Sequence, residues 1–414
     1  MKSINEKLFL FLIPLLFTFP LFKENVSSFF FILLAANTVV YSIITKNYKN
    51  FNYKQAAILS IPFWIISISC LLRGTFFDNL KDINHALFFL LFPIVFGLIP
   101  SLYFSKERIA LYISILKNAC LIICFGYILS YFVNHSLEEF RQVEYNISSF
   151  RDYVYSEIGF FKIHPTYFTA ITTFCIAYSL EKVLKEKKWY EIAYILVFML
   201  LTFLLLAKIN IIFMFILIPI TILFRSNISK SGKIISFSVA MTVFAGLVFF
   251  VPGINKRFTE LYESVNRPPV GAAHDSTNIR VAILKCSTEI AQEHYLFGVD
   301  FVKLPGVLHE CFASNYDSAF YVDHYYLTHN YFAYIFLSTG ILGLLLLLFY
   351  TYNVMIILRK INLFIVYVMA VNVFLICFTE DYFYRQFGLF YFSLILFSFM
   401  KFREYSDAQA NNPV

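Results

Sequence analysis

Arg280, His329 and Asn330 are the residues of this chain whose types and placement most readily do chemistry. Arg280 stands near the start of a predicted helix, and Thr328-His329-Asn330 runs straight into an apolar segment, Tyr331 to Tyr352. A guanidinium offers a planar fork of donors suited to phosphate. A helix amino terminus adds free N–H groups and a favourable dipole for anions. An imidazole titrates near neutrality and can take a proton from a hydroxyl. A cation and a base at the mouth of an apolar segment imply chemistry on something anionic that lives in a membrane.

Other side chains are candidates for the same anion. Two apolar runs barely separate at Ala207-Lys208-Ile209-Asn210. So short a connection requires a tight hairpin or a broken helix, permitted at membrane depth only where protein or water satisfies the backbone. A charge at a helix centre costs about 2.5 to 3.5 kcal/mol to insert; Lys208 therefore either snorkels to the interface or faces an anionic headgroup. His164 precedes Pro165, a residue suited to a first helical turn, and is either an interfacial residue before that helix or a headgroup contact. Arg151 lies with Arg141 and Lys162 among Glu138, Glu139, Glu144, Asp152 and Glu157. Arg385 follows Glu380-Asp381 and is expected to pair with one of these carboxylates, the alternative being the phosphate site. His309, Asp323, His324 and His329 raise a metal site, but the spacing of His324 and His329 is a weak ligand signal, and neither metal nor cofactor is expected. Cys286 and Cys311 share one loop; they form a disulfide in an oxidising compartment, or Cys286 is a buried thiol.

The elements that position these residues follow from composition. Of the residues 59% are hydrophobic and 14% charged, with mean hydropathy +0.70, against about 25% charged in soluble domains. The chain reads as an all-α polytopic membrane protein, residues 1–414 forming one membrane domain, and gives no support to a nucleic-acid partner. A span needs about 20 apolar residues. Twelve are expected, near 7–22, 26–45, 55–72, 84–102, 109–133, 165–180, 190–207, 209–224, 234–251, 331–352, 362–378 and 386–402. The opening MKSINEKLFLFLIPLLF resembles a signal peptide but lacks a small-residue cleavage site, and so reads as a retained span. A smaller loop occupies 134–164 and a large one 252–328, between the ninth and tenth spans.

Lysine and arginine in short loops set orientation. With the amino terminus inside, the short outer loops carry only Lys23, Arg73, Lys81, Lys208 and Arg385, while the inner segments carry eighteen basic residues, Lys46, Lys106, Lys187, Arg359 and Lys401 among them. Both termini are thus expected inside and the long loops outside. All eight histidines, His85, His135, His164, His274, His294, His309, His324 and His329, then fall on or near the outer side. Within the large loop a short helix is expected over 254–265. The cluster Asp275-Ser276-Thr277-Asn278 offers caps for a second, over 279–293, whose Ile279, Ala282, Ile283, Cys286 and Ile290 share a face.

At this point the chain resembles the O-antigen ligase and polymerase family. The resemblance rests on Arg280 in an outer amphipathic helix, the turn His294-Tyr295-Leu296-Phe297-Gly298-Val299, His329-Asn330-Tyr331-Phe332, and Ser338-Thr339-Gly340-Ile341-Leu342-Gly343. Span number, chain length and loop position agree. The chain departs from the pattern at Leu284, where the family commonly has tryptophan, at Asp300 in place of a second turn glycine, at Ser338-Thr339 in place of an acid, and at Ala207-Lys208 in place of Ser-Arg. The resemblance implies a fold like that of the polytopic glycosyltransferases of the GT-C class. It implies inverting, metal-independent transfer of a glycan from undecaprenyl pyrophosphate to an acceptor hydroxyl at the periplasmic face of the bacterial inner membrane. Lys208 and Arg280 would stabilise the pyrophosphate leaving group and His329 would serve the acceptor hydroxyl, with Asn330, His164, Arg385 and Arg151 as further substrate contacts. Ligation to lipid A core is the leading reading and repeat-unit polymerisation the nearest rival. A transporter or flippase would call for internal repeats and midplane charges.

Overall fold

A computed structural model describes residues 2–144, 147–159, 162–225, 229–251 and 253–411. Pro252, the expected start of the large loop, lies outside them. The described chain is helical apart from its connecting segments and one small hairpin, Val143–Glu144 paired with Ile147–Ser148. The first helices are α1 (Lys2–Leu16), α2 (Glu24–Thr45), α3 (Tyr53–Leu59), α4 (Ile61–Leu72), α5 (Leu80–Leu98) and α6 (Lys106–Asn134). Next come α7 (Leu137–Phe140), α8 (Ser149–Asp152), α9 (Pro165–Glu186), α10 (Glu191–Leu204), α11 (Lys208–Arg225) and α12 (Lys230–Phe250). The last are α13 (Ile254–Ser264), α14 (Ser276–His294), α15 (Leu304–Asn315), α16 (Tyr331–Ile361), α17 (Phe364–Cys377) and α18 (Gln386–Asn411).

This is a helical membrane protein: in lipid an open strand edge has no partner, whereas a helix satisfies its own backbone. Each of the twelve apolar segments is helical. Among the described residues five helices are long and apolar enough to cross a membrane, α2, α5, α6, α12 and α16, or six if α3 and α4, bent by 67° at their junction, make one span. Helices α10, α11 and α17 are apolar but shorter. Helix α16 runs past the expected Tyr352 to Ile361, and α15 has no counterpart in the sequence-based expectation.

Helix α9 lies at the centre and is buried on nearly every face. Its threonines fold back on its own carbonyls, Thr169 Oγ1 donating to Pro165 O at 2.8 Å and Thr173 Oγ1 to Thr169 O at 2.7 Å, so no hydroxyl is left bare among apolar neighbours. Asn210 on α11 donates to Thr169 Oγ1 at 2.6 Å and accepts from Asn372 of α17 at 2.9 Å. These polar contacts tie α9, α11 and α17 together below the end of the bundle where the site lies.

Two glycines lock the long connection to α16. Gly340 breaks that helix with φ 75° and ψ −168°, a conformation costly to any residue with a Cβ. Across the break, Val299 N donates to Leu337 O at 2.7 Å and Ile341 N to Tyr295 O at 2.8 Å. A Cβ on Gly340 would sit 2.0 Å from Leu296 O, and one on Gly298 would sit 2.5 Å from Leu337 O. The turn and the helix motif noted in the sequence are the two halves of one backbone joint. Asp300, in the place of the second turn glycine, still adopts φ 102°; its carboxylate accepts from Phe301 N at 2.7 Å.

Candidate active site

Three cations converge on one end of the bundle. After α10 the chain turns through Leu205–Ala207, with Leu206 at φ 49°, and Lys208 opens α11. This is the tight hairpin. Lys208 Nζ does not merely snorkel: it meets Glu260 Oε1 of α13 at 2.9 Å, with Thr277 Oγ1 at 3.2 Å and Ser276 Oγ at 3.3 Å. The Glu260 side chain is fully buried, and a buried carboxylate persists only with a partner.

Helix α14 begins where those hydroxyls stand. Asp275 caps it, accepting from Thr277 N at 2.8 Å and Asn278 N at 3.1 Å, while Asn278 Oδ1 accepts from Asp275 N at 2.8 Å. This is a capping box with asparagine in the third helical position. It fixes the start of the helix, and one turn further on Arg280 reaches Glu380 Oε1 through Nη2 at 2.6 Å. Arg151, carried by α8, donates to Leu205 O in the hairpin before Lys208.

Glu380 and Asp381 form the turn after α17 and organise the imidazole. Glu380 Oε2 lies 3.1 Å from His329 Nδ1. Asp381 Oδ2 accepts from His329 N at 3.0 Å, and its Oδ1 accepts from Thr328 Oγ1 at 2.6 Å and Asn330 N at 3.2 Å. These bonds hold His329 at φ 44°, a left-handed backbone uncommon for a residue with a side chain. With Nδ1 tied to a carboxylate, Nε2 is the nitrogen left to exchange a proton. Asn330 caps α16, its Oδ1 accepting from Phe332 N and Ala333 N at 3.1 Å each.

Burial alone would raise the Glu380 carboxyl. The His329 hydrogen bond and the charges of Arg280, His329 and His164 outweigh it and hold the group at about 2, so it is ionised at neutral pH. Burial likewise raises Asp381, against the opposing effect of His329 and Thr328. His164 caps α9, Nδ1 accepting from Thr166 N at 3.3 Å. Burial pushes its imidazole down to about 4, helped by Arg151, Arg385 and Arg280 against Glu380. It is neutral at pH 7, with its proton on Nε2.

These groups line a cavity of about 470 Å³. Its lining is mixed, with Arg151, His164, Lys208, Arg280, His329, Asn330 and Glu380 as polar members and Ile209, Ile212, Val281, Leu284 and Phe378 as apolar ones. Six of the seven residues singled out in the sequence are therefore brought together. Arg385 is not: it is exposed, outside the cavity, 6.0 Å from the Tyr384 ring. Nor does it pair within its turn, because Glu380 and Asp381 are committed to Arg280, His329 and Thr328. Sequence reasoning missed the two carboxylates. Glu380 was visible but assigned to the wrong arginine, and Glu260 is one of two acids on a surface-like helix, with nothing in the linear pattern to mark it. Elsewhere in the long connection the Cys286 and Cys311 sulfurs are bonded, joining α14 to α15, while His309 stacks on Tyr325 and His324 lies edge-on to Tyr326.

Comparison with known families bears directly on this cavity. Residues 193–348 match the O-antigen ligase family model. No curated protein matches the chain. The matched stretch holds Lys208, Arg280, His329 and Asn330, together with the Gly298 and Gly340 joint, and supplies thirteen of the nineteen residues that line the cavity. Arg151, His164 and Glu380 reach the same cavity from outside that segment.

Proposed function

We propose that the protein transfers a glycan from a polyprenyl pyrophosphate carrier to an acceptor hydroxyl at the outer, periplasmic face of the bacterial inner membrane, and that the acceptor is lipid A core. The observation that carries this reading is the composition of one cavity: apolar side chains fit for a prenyl chain, three cations, and a carboxylate-oriented imidazole. The acceptor oxygen attacks the anomeric carbon as His329 Nε2 takes its proton. The bond from that carbon to the pyrophosphate oxygen breaks with inversion, and the lipid pyrophosphate leaves with the electron pair. Charge grows on that oxygen, so fixed donors aimed at it lower the barrier; Arg280, Lys208 and Arg151 serve, with the Nε2–H of neutral His164. Lys208 then shares its charge between Glu260 and phosphate, as a point charge without a guanidinium's fork. Glu380 stabilises the imidazolium. No residue in this scheme requires a metal or cofactor. Twelve spans with both termini inside remain part of the same proposal.

A polymerase would use the same donor chemistry with a glycan acceptor. Lipopolysaccharide profiling of a deletion strain separates the two. Finished glycan accumulating on the lipid carrier is the expected result; core bearing a single repeat unit would reassign the protein as a polymerase, and an unchanged profile would overturn both.

A further inference from the structure

Two tyrosines from separate connections stand against the two histidines of the cavity. Tyr155 belongs to a π-helical turn, Tyr153–Glu157, a rare conformation that often marks functional positions. Its ring meets His164 edge-on with centroids 5.6 Å apart and is 51% exposed. Tyr326 comes from the long connection, 6.0 Å from the His329 ring and 5.7 Å from Phe320. Burial first, and then the nearby Tyr155 phenol, push the Tyr326 phenol up. Beside it Tyr325 is 69% exposed and stacks on His309 with centroids 4.7 Å apart. Exposed rings on α11 and α12, such as Phe224 and Phe250, belong to apolar helices. Tyr155 and Tyr325 sit in polar connections, where their open faces bury nothing of the protein.

We propose that Tyr155 and Tyr326 form a platform for the saccharide of the lipid-linked donor, with Tyr325 as its outer step. This rests on the donor reading above. With pyrophosphate among Arg280, Lys208 and Arg151, and the anomeric carbon beside His329, the rest of the glycan has to leave the cavity past the residues that flank the two histidines. A pyranose ring presents faces of C–H bonds, slightly positive, and an aromatic face is negative. Tyrosine adds a hydroxyl for the sugar's own hydroxyls and loses little conformational entropy when held. The platform therefore selects sugars with a continuous C–H face and leaves the pyrophosphate contacts to the cations.

The test compares two ligands of the full chain in lipid nanodiscs: bare polyprenyl pyrophosphate, and the same lipid carrying the host's surface-glycan repeat. The wild type should prefer the glycosylated form. Tyr155→Ala and Tyr326→Ala should each weaken that form by about tenfold and leave the bare lipid unchanged, whereas Tyr155→Phe and Tyr326→Phe should keep most of the preference. Equal weakening of both ligands, an unaltered preference, or a rise confined to the acceptor's KM overturns the platform alone. A wild type that binds neither pyrophosphate better than uncharged polyprenol overturns the donor reading and the platform with it.

Discussion

At the residue scale the site turns on which carboxylate holds which group. His329→Ala should cut transfer by about 10² to 10⁴-fold with donor affinity retained, while Arg280→Ala should weaken donor binding itself; an active His329→Asn enzyme would reduce His329 to a structural residue. Glu380→Gln should lower turnover by up to about 10⁴-fold, as when the acid orienting a general-base histidine becomes an amide, and single-turnover kinetics would reveal it. His164 gives a pH signature. Its folded value of about 4 lies below the ordinary 6.5, so between these values the unfolded chain binds more protons than the folded one. Stability should fall as pH drops from 6.5 toward 4, and His164→Asn should flatten that part of a thermal-denaturation profile. Arg280, His329 and Lys208 were legible from type and position. Their partners were not, because Arg280 and Glu380 stand 100 residues apart in the chain and no local spacing encodes such a contact. Arg385, the acid's neighbour in sequence, was the natural but wrong partner.

At the element scale the joint between the 295–300 turn and α16 decides whether His329 stands where it must. Gly340→Ala would drive a Cβ into Leu296 O and force an unfavourable φ. The variant should lose transfer along with folded protein, measurable as a fall in the detergent-extracted monodisperse fraction. Asp300→Gly has the opposite backbone logic, relieving a side chain at φ 102° but giving up the bond to Phe301 N. The helices of the long connection were readable because apolar periodicity and caps are local signals: the expected 254–265 and 279–293 became Ile254–Ser264 and Ser276–His294. Helix α15 was not readable, since Pro305 and Gly306 interrupt its first turn and suggest a loop; packing on α14 and the Cys286 to Cys311 bridge hold it as a helix.

At the scale of the whole molecule the bundle hides a further ion pair, at the opposite end of α10 from the cavity. Lys117 of α6 meets Glu191 of α10, which also accepts from Ser179 Oγ of α9 at 2.6 Å, and the ammonium lies 4.1 Å from the Tyr194 ring centroid. Both side chains are about 95% buried. Lys117→Met alone should destabilise by about 3 to 5 kcal/mol, whereas Lys117→Met with Glu191→Leu should be close to neutral; thermal unfolding in one detergent compares them. The sequence left Lys117 unremarked because one cation in a long apolar helix gives no hint of its partner. The proposed orientation rests, by contrast, on a global charge asymmetry. Single-cysteine labelling with an impermeant reagent, in a background without competing thiols, should modify position 280 and spare position 187 in intact cells. The reverse pattern would invert the assignment of sides.

The position of Glu380 in the chain has a consequence for how the protein is made. Arg280 and His329 are synthesised 100 and 51 residues before the carboxylate that both contact. A ribosome that has delivered everything through α17 has produced Arg280 and the imidazole of the proposed chemistry without the carboxylate that both contact. The turn between α17 and α18 thus brings Arg280 and His329 into register only after both have been made.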